Sequence, residues 1–251
     1  MAELPSNISQ ATSTDAINMY KGQKSLLIFI VGKSGRGKST AIKFLNPATT
    51  HIINVLGKWF PFPGGSKYQE TGDLKNLSIL TDAGAIQRKL VDVARDEKVR
   101  DIVIDDAQYI MAIEFFDKAL IKGYDKFSLM GRNFWQILMT ATKLRSGIKV
   151  FALMHEDDFG SERVIKTLGK MLSDKGNPEG LSPIVLWSEM LIENNSRKYY
   201  FSTQTDGITT AKSPDGMFPT TIPNSLELVS RRIDEYYNGV SLAQSKLEFE
   251  V

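Results

Sequence analysis

The sequence predicts an α/β protein built on a mainly parallel sheet flanked by helices, with an antiparallel hairpin added late in the chain. Three observations predict it. Apolar runs such as Leu26–Val31, Ile102–Ile104 and Val150–Met154 have the composition of buried parallel strands. Stretches with helical spacing of apolar residues alternate with them, and strand–helix alternation implies a parallel sheet covered on both faces. Further on, Ile184–Ile192 and Arg197–Thr203 flank Asn194-Asn195-Ser196, a turn-forming triplet between two β-rich runs.

Taken in order, residues 1–22 are polar and read as a loosely ordered arm, 23–238 as the domain and 239–251 as a tail. Leu26–Val31 is the first strand, and Thr40–Leu45 opens the helix after it. His51–Val55 is a second short strand. Two prolines and two glycines keep Trp59–Gly65 irregular. Leu77–Leu80 is a short strand, and Asp82 caps a helix over Ala83–Glu97. Ile102–Asp106 is a buried strand ending in acids. Helical patterns over Gln108–Lys122 and Lys126–Arg145 part at Gly123. Tyr109, Phe115, Phe116, Phe134 and Trp135 follow that periodicity and read as core. Lys149–Met154 is another buried strand. Residues 156–182 carry many charges and read as a mobile loop with some helix, and 204–223 as loop. Asn224 or Ser225 caps a last helix to about Tyr237. No internal repeat is present.

Bulk composition narrows the classes. At 251 residues the chain makes one good-sized α/β domain. A formal net charge of +2 is too weak by itself to declare a nucleic-acid partner. With no cysteine, disulfides, thiolate metal sites and Cys nucleophiles are excluded. No apolar run reaches the roughly 18 residues of a membrane span, so no membrane role is expected. Met1–Asn7 lacks the basic start and apolar stretch of a signal peptide, so the expected compartment is the cytoplasm.

The chemistry concentrates where the first strand ends. Leu26–Val31 runs directly into Gly32-Lys33-Ser34-Gly35-Arg36-Gly37-Lys38-Ser39, the pattern G-x-x-x-x-G-K-S followed by Thr40. A strand, a glycine-rich loop and a helix in this order form a phosphate-binding P-loop. The glycines let backbone N–H groups turn inward on a phosphate, and the helix N-terminus adds partial positive charge. Lys38 would reach the β- and γ-phosphates, and the Ser39 hydroxyl would ligate Mg²⁺. The bland alternative, a glycine-rich turn containing Lys-Ser by chance, is disfavoured by the flanking strand and helix.

Such a site needs a carboxylate at the end of a nearby strand to hold Mg²⁺ and its waters, and Asp105 has that placement. Asp106 would orient the attacking water or cap the following helix. Glu70 and the pair His155-Glu156 are further candidates for positioning water. His155 closes a strand whose C-terminal end should face the ligand crevice. His51 starts a strand and reads as structural. Arg163, Lys166, Lys170 and Lys175 are candidates for a basic finger reaching a neighbouring subunit's nucleotide or for contacts to nucleic-acid phosphates; a solvated charged face is the plainer reading. Lys33 also fits the deviant P-loop, whose signature lysine crosses a dimer interface, although Ser34 stands where that pattern prefers Gly. Trp59, Phe60 and Phe62 would form an aromatic platform or fold back on the core.

Several longer phrases resemble a family of bacteriophage AAA/RecA-like P-loop ATPases. They are Phe60–Gly65, Ile102–Met111, Lys122–Phe127, Lys166–Leu172 and Ala211–Phe218, and the resemblance runs from about Leu26 to Tyr237. It implies a RecA-like core that binds ATP and Mg²⁺ and acts in phage replication or recombination. Single-stranded DNA, a single-strand-binding protein and further copies of the chain are the implied partners. Lys38 and Ser39 then hold phosphates and metal, Asp105 is the Walker B acid, His155 stands in for a γ-phosphate sensor, and Lys166 and Lys170 become trans-finger candidates. The chain departs from the pattern at Lys58-Trp59, where relatives often have Lys-Pro, and at Ala107, where they have Phe. No counterpart of the catalytic glutamate of RecA proper follows Ile52–Val55.

The expected function is a slow Mg²⁺-dependent ATPase that controls assembly on single-stranded DNA. A nucleotide or small-molecule kinase is the first alternative. It would need an acceptor pocket and a lid with arginines, and 156–182 holds Arg163 alone. A non-catalytic scaffold that ATP locks into an oligomer is the second.

Overall fold

In the computed structural model the described residues are 24–123, 125–168 and 176–251. The strands are β1 (Leu26–Val31), β2 (Thr50–Asn54), β3 (Leu77–Ser78), β4 (Asp101–Asp105), β5 (Lys149–Met154), β6 (Glu156–Phe159), β7 (Glu162–Ile165), β8 (Ile184–Glu193), β9 (Ser196–Ser202) and β10 (Thr221–Pro223). The α-helices are α1 (Ala83–Val93), α2 (Tyr109–Asp117), α3 (Asp125–Ala141) and α4 (Leu226–Tyr237). An eight-stranded sheet has the order β10-β9-β8-β1-β5-β4-β2-β3. Strands β8 to β3 run parallel, and β9 and β10 extend the sheet antiparallel. This is the mainly parallel, helix-flanked sheet with a late hairpin that the sequence predicts.

The apolar runs are continuous because both faces of the sheet are covered. Leu27, Phe29 and Val31 of β1 point to one face and pack with Val150 and Ala152 of β5 against Ile86 and Leu90 of α1 and Phe134 and Ile137 of α3. Ile28 and Ile30 point to the other face, where Phe151 and Leu153 of β5 join Ile42, Val229 and Ile233. A strand alternates faces with period two, so a single buried run builds both halves of the core.

The predicted caps hold. Asp82 accepts from Ala85 N at 2.7 Å and starts α1, and Ser225 accepts from Leu228 N at 3.2 Å and starts α4. The β8–β9 hairpin turns on Asn194 (φ 49°) and Asn195 (φ 59°), both left-handed, a pairing that matches the right-handed twist of the strands.

Four details differ from expectation. The segment after the glycine-rich loop is a 3₁₀ helix over Ser39–Phe44, ended by Asn46-Pro47, because a residue before proline avoids helical backbone. Helix α1 stops at Val93, short of Glu97. The carbonyls of Ala94 and Asp96 instead accept from the Arg145 guanidinium at 2.7 and 2.8 Å. Phe116 is 73% exposed, so it is not core, whereas Phe134 is buried. Glu156–Ile165 is a β-hairpin, β6 on β7, and not a loop. Its charged side chains hid the strands from a hydrophobic pattern. Residues 169–175 of the same segment lie outside the described residues.

Helix α4 is pinned by buried polar groups. Ser230 Oγ donates to Asp101 Oδ1 at 2.7 Å, and Lys149 Nζ binds Asp234 at 2.7 Å. The fully buried Arg232 donates to the carbonyls of Met217 (2.6 Å), Val240 (3.0 Å) and Gly216 (3.3 Å). Arg232→Leu strands these three acceptors, so it should lower unfolding free energy by on the order of 3 kcal/mol in urea titration.

Candidate functional site

The parallel order brings the C-terminal ends of β1, β5, β4 and β2 to one edge, where such sheets hold ligands. The glycine-rich loop leaves β1 there and is held down by β8. A Cβ on Gly32 would sit 2.6 Å from Ser188 O, and one on Gly37 (φ 92°) would sit 2.9 Å from the Tyr199 ring. Ser188 Oγ donates to Arg36 O at 2.7 Å and accepts from Asn224 Nδ2 at 3.1 Å. Arg36 Nη1 donates to Met190 O at 3.1 Å. These bonds fix the curve of the loop against the β8–β9 hairpin.

Lys38 lies inside that curve. Its Nζ donates to Gly32 O at 2.6 Å and Lys33 O at 3.0 Å. Burial lowers its pKa to about 8, with the nearby carboxylates of Asp106, Asp105 and Glu156 opposing the shift. Ser39 Oγ donates to Asp105 Oδ1 at 2.8 Å. Burial, reinforced by the charge of Asp106, pushes Asp105 up to about 6. Two oxygens side by side at the mouth of a phosphate-type loop fit Mg²⁺, which keeps most of its waters and takes one or two protein oxygens beside substrate phosphates. Among the described residues no cluster of three or more His, Cys, Asp or Glu gathers to hold a metal, so a protein-only metal cage is not what this edge offers.

Asp106 has φ 61°, a left-handed backbone that costs energy for a non-glycine residue and that places the carboxylate beside Asp105. Its side chain does not cap α2; it pairs with Lys58 Nζ and lies 3.6 Å from His155 Nε2. Burial raises its pKa, but the nearby His155 ring and the paired Lys58 ammonium outweigh that and hold it below its ordinary value. His155 stands edge-on to Tyr109, with ring centroids 6.0 Å apart. Lys166 continues from it: the Lys166 N–H donates to His155 O at 2.8 Å, and both line a cavity of about 210 Å³ with Gln108 and Tyr109. Lys170 lies outside the described residues.

Lys38, Ser39, Asp105, Asp106 and His155 are therefore gathered at one edge. Glu70 is not among them. It accepts from Ile79 N at 3.2 Å just past the end of β3, and β2 separates that strand from β4 and its acids. His51 is buried, with Nε2 3.0 Å from Ser78 Oγ, and burial lowers its pKa to about 4, consistent with a structural role. Phe60 and Phe62 fold back, with rings 5.4 Å apart, onto Tyr68, while Trp59 stays exposed.

Lys58 and Asn54 were missed by sequence reasoning, and Glu156, paired with His155 as a water-positioning candidate, has a different role here. Lys58, noticed only as a departure, reaches Asp106. Asn54, paired in register with Asp105, donates from Nδ2 to Lys58 O at 2.8 Å and leaves its buried Oδ1 without a hydrogen-bond partner in the structure. Glu156 accepts both from Arg163 Nε (2.9 Å) and Nη2 (2.7 Å) and lies 3.6 Å from Lys33 Nζ. Arg163 also binds Glu189 at 2.7 Å and stacks 4.9 Å from the Trp187 ring, so it is committed inside the molecule. The one available signal for Asn54 was position: it lies one residue from the end of the predicted strand His51–Val55, at the same sheet edge.

Loop and sheet together define a P-loop α/β protein. No known family profile matches the chain, and no curated protein sequence matches it. Among solved structures it is similar to a KaiC-like protein from the hyperthermophilic archaeon Pyrococcus horikoshii, with 13% identity, 80% of this chain and 85% of that one covered, and a TM-score of 0.44.

The raised pKa of Asp105 has a sign that can be tested. The unfolded carboxyl ionises near 4 and the folded one near 6, so the native state is penalised above about pH 6 and the penalty vanishes below about pH 4. Asp105→Asn should raise stability at pH 7 by on the order of 2–3 kcal/mol, with the gain gone at pH 4, while Mg²⁺-dependent ligand binding is lost. Paired melting curves at the two pH values check the first part, and titration with Mg²⁺ and nucleotide the second.

Proposed function

We propose that this chain binds ATP with Mg²⁺ at Gly32–Thr40 and hydrolyses it slowly. The observation that carries the reading is the 2.8 Å bond from Ser39 to Asp105, beside a Lys38 ammonium held in the curve of the loop. Loop amides and Lys38 would bind the phosphates, and Ser39 and Asp105 would hold Mg²⁺, whose charge offsets that of the phosphates when it is bound. In hydrolysis the oxygen of a water bonds to Pγ, the bond from Pγ to the β–γ bridging oxygen breaks, and ADP and phosphate leave. Asp106 is the best-placed acceptor for the water's proton, since His155 and Lys58 keep its carboxylate ionised. His155 would sense the γ-phosphate. Glu70, bonded to Ile79 N past β3, is not needed for this scheme.

The family resemblance supports the finer reading of a RecA-like bacteriophage protein that acts in the cytoplasm on single-stranded DNA. It assembles with copies of itself, works beside a single-strand-binding protein, and offers Lys166 or Lys170 to the neighbouring subunit's nucleotide. No helix among the described residues is long and apolar enough to cross a membrane, in keeping with that setting.

Lys38→Ala should weaken ATP binding by about 100-fold or more, and Asp106→Asn should cut turnover by about 100-fold with affinity nearly kept. Wild-type affinity and turnover in Lys38→Ala would sink the reading. For the finer proposal, phosphate release should rise with added single-stranded DNA, and ATP should shift the mass to an oligomer. A monomer with DNA-independent turnover removes the recombination role and leaves the ATPase.

A further inference from the structure

A cavity of about 600 Å³ opens beside the loop on the side away from Asp105 and His155. The sheet order makes this side distinct. Strands β5 and β4, with the acids and His155, lie to one side of β1, while β8 and β9 lie to the other, and Glu227, Leu228 and Arg231 of α4 line the cavity with Tyr199 of β9. A triphosphate with its γ end at Asp105 that runs past Ser39 to Thr40 would bring its nucleoside to this cavity.

The cavity has what a nucleoside needs. Thr40 stands at its lip, one residue after Ser39, and Phe44 lies one turn further on, 51% exposed. Tyr199 separates cavity from loop, since its ring lies against Gly37. Arg231 of α4 adds a cation, and Leu247 and Glu248 close the outer side. Pockets of this volume suit a ligand of nucleotide size, with aromatic faces for a base and polar groups for a ribose.

We propose that this cavity takes the ribose and base of the nucleotide, and that residues 246–250 form the wall that closes over them. The segment is placed for this by local contacts: Ser245 Oγ donates to Glu235 Oε2 at 2.6 Å, and Phe249 packs against the core beneath α4. The tail thereby becomes part of the substrate site. The inference rests on the proposed ATP binding at the loop, and it assigns specificity for the nucleoside half to residues outside the P-loop.

Tripolyphosphate separates the two claims, because it can use the loop and not the cavity. Calorimetric titration of Mg·ATP and Mg·tripolyphosphate into the full chain, Phe44→Ala and a deletion of 246–251 tests both. ATP affinity should fall about 10-fold in each variant, the loss expected when one stacking face goes, with tripolyphosphate affinity unchanged. ATP binding unaffected in both variants overturns the cavity and leaves the P-loop reading standing. A full chain that binds neither ligand overturns both. If the deletion also loses tripolyphosphate its fold is damaged, and Phe44→Ala, on an exposed side chain, decides alone.

Discussion

The hydrogen bond between Ser39 and Asp105 joins the helix that follows β1 to the end of β4, a strand that is not β1's neighbour, and the rest of the site depends on that geometry. β5 lies between β1 and β4, so the two oxygens meet only because a parallel sheet ends all its central strands at the same level. The registers Val31↔Met154 and Ile104↔Ala152 set that level. A slip of one residue would turn Asp105 to the other face and part it from Ser39. The two-sided core is what forbids the slip, since each strand has apolar partners on both faces. Packing that looks purely structural thus fixes a distance of 2.8 Å at the chemical end.

Charge around the loop follows a similar logic. Of the cations on it, Lys33 faces Glu156 and Arg36 faces Glu189, and Arg163 bridges both acids. Three positive and two negative groups balance to a small local excess. Arg163 is the strongest member, because its bonds to Glu156 and Glu189 outweigh desolvation and raise its already high pKa. The arrangement leaves Lys38 as the loop cation that points into the curve. It also ties β7, and the segment after it that carries Lys166, to the shape of the P-loop. A change in the loop on binding phosphate would be felt by that segment through Glu156 and Arg163.

Much of this was legible in the sequence. The loop motif, the apolar strand before it and the acids at Asp105-Asp106 gave the site because each signal is local and its chemistry demands particular residue types at fixed spacing. The Asn194-Asn195 turn and the Asp82 and Ser225 caps were legible for the same reason. The β6–β7 hairpin was not, because its strands keep charges where a core strand would carry apolar residues, and its stability comes from Arg163 bonding across to β8. Lys58 was invisible for a different reason. Its role exists only after the chain between β2 and β3 has folded over the edge, a contact that no local pattern encodes. Glu70 has the right chemistry, but its carboxylate is tied to Ile79 N past β3, two strands from Asp105.

The pairing of Lys58 with Asp106 bears on the speed of the chemistry. A carboxylate whose pKa is held down by a paired ammonium and a neighbouring imidazole is a weaker proton acceptor than a free one. It stays ionised, and it is rigidly aimed, but it takes a proton with less driving force. Under the proposed ATPase reading this favours slow turnover in an isolated chain. Under the same reading the contact supplies a cation in cis beside the base. Lys58 is held in place at both ends, its carbonyl by Asn54 and its amine by Asp106. Whatever draws the Lys58 ammonium from Asp106 towards a phosphate would do two things at once. It would free the base and add a positive charge beside the γ-phosphate, so a single side-chain movement would couple substrate binding to activation.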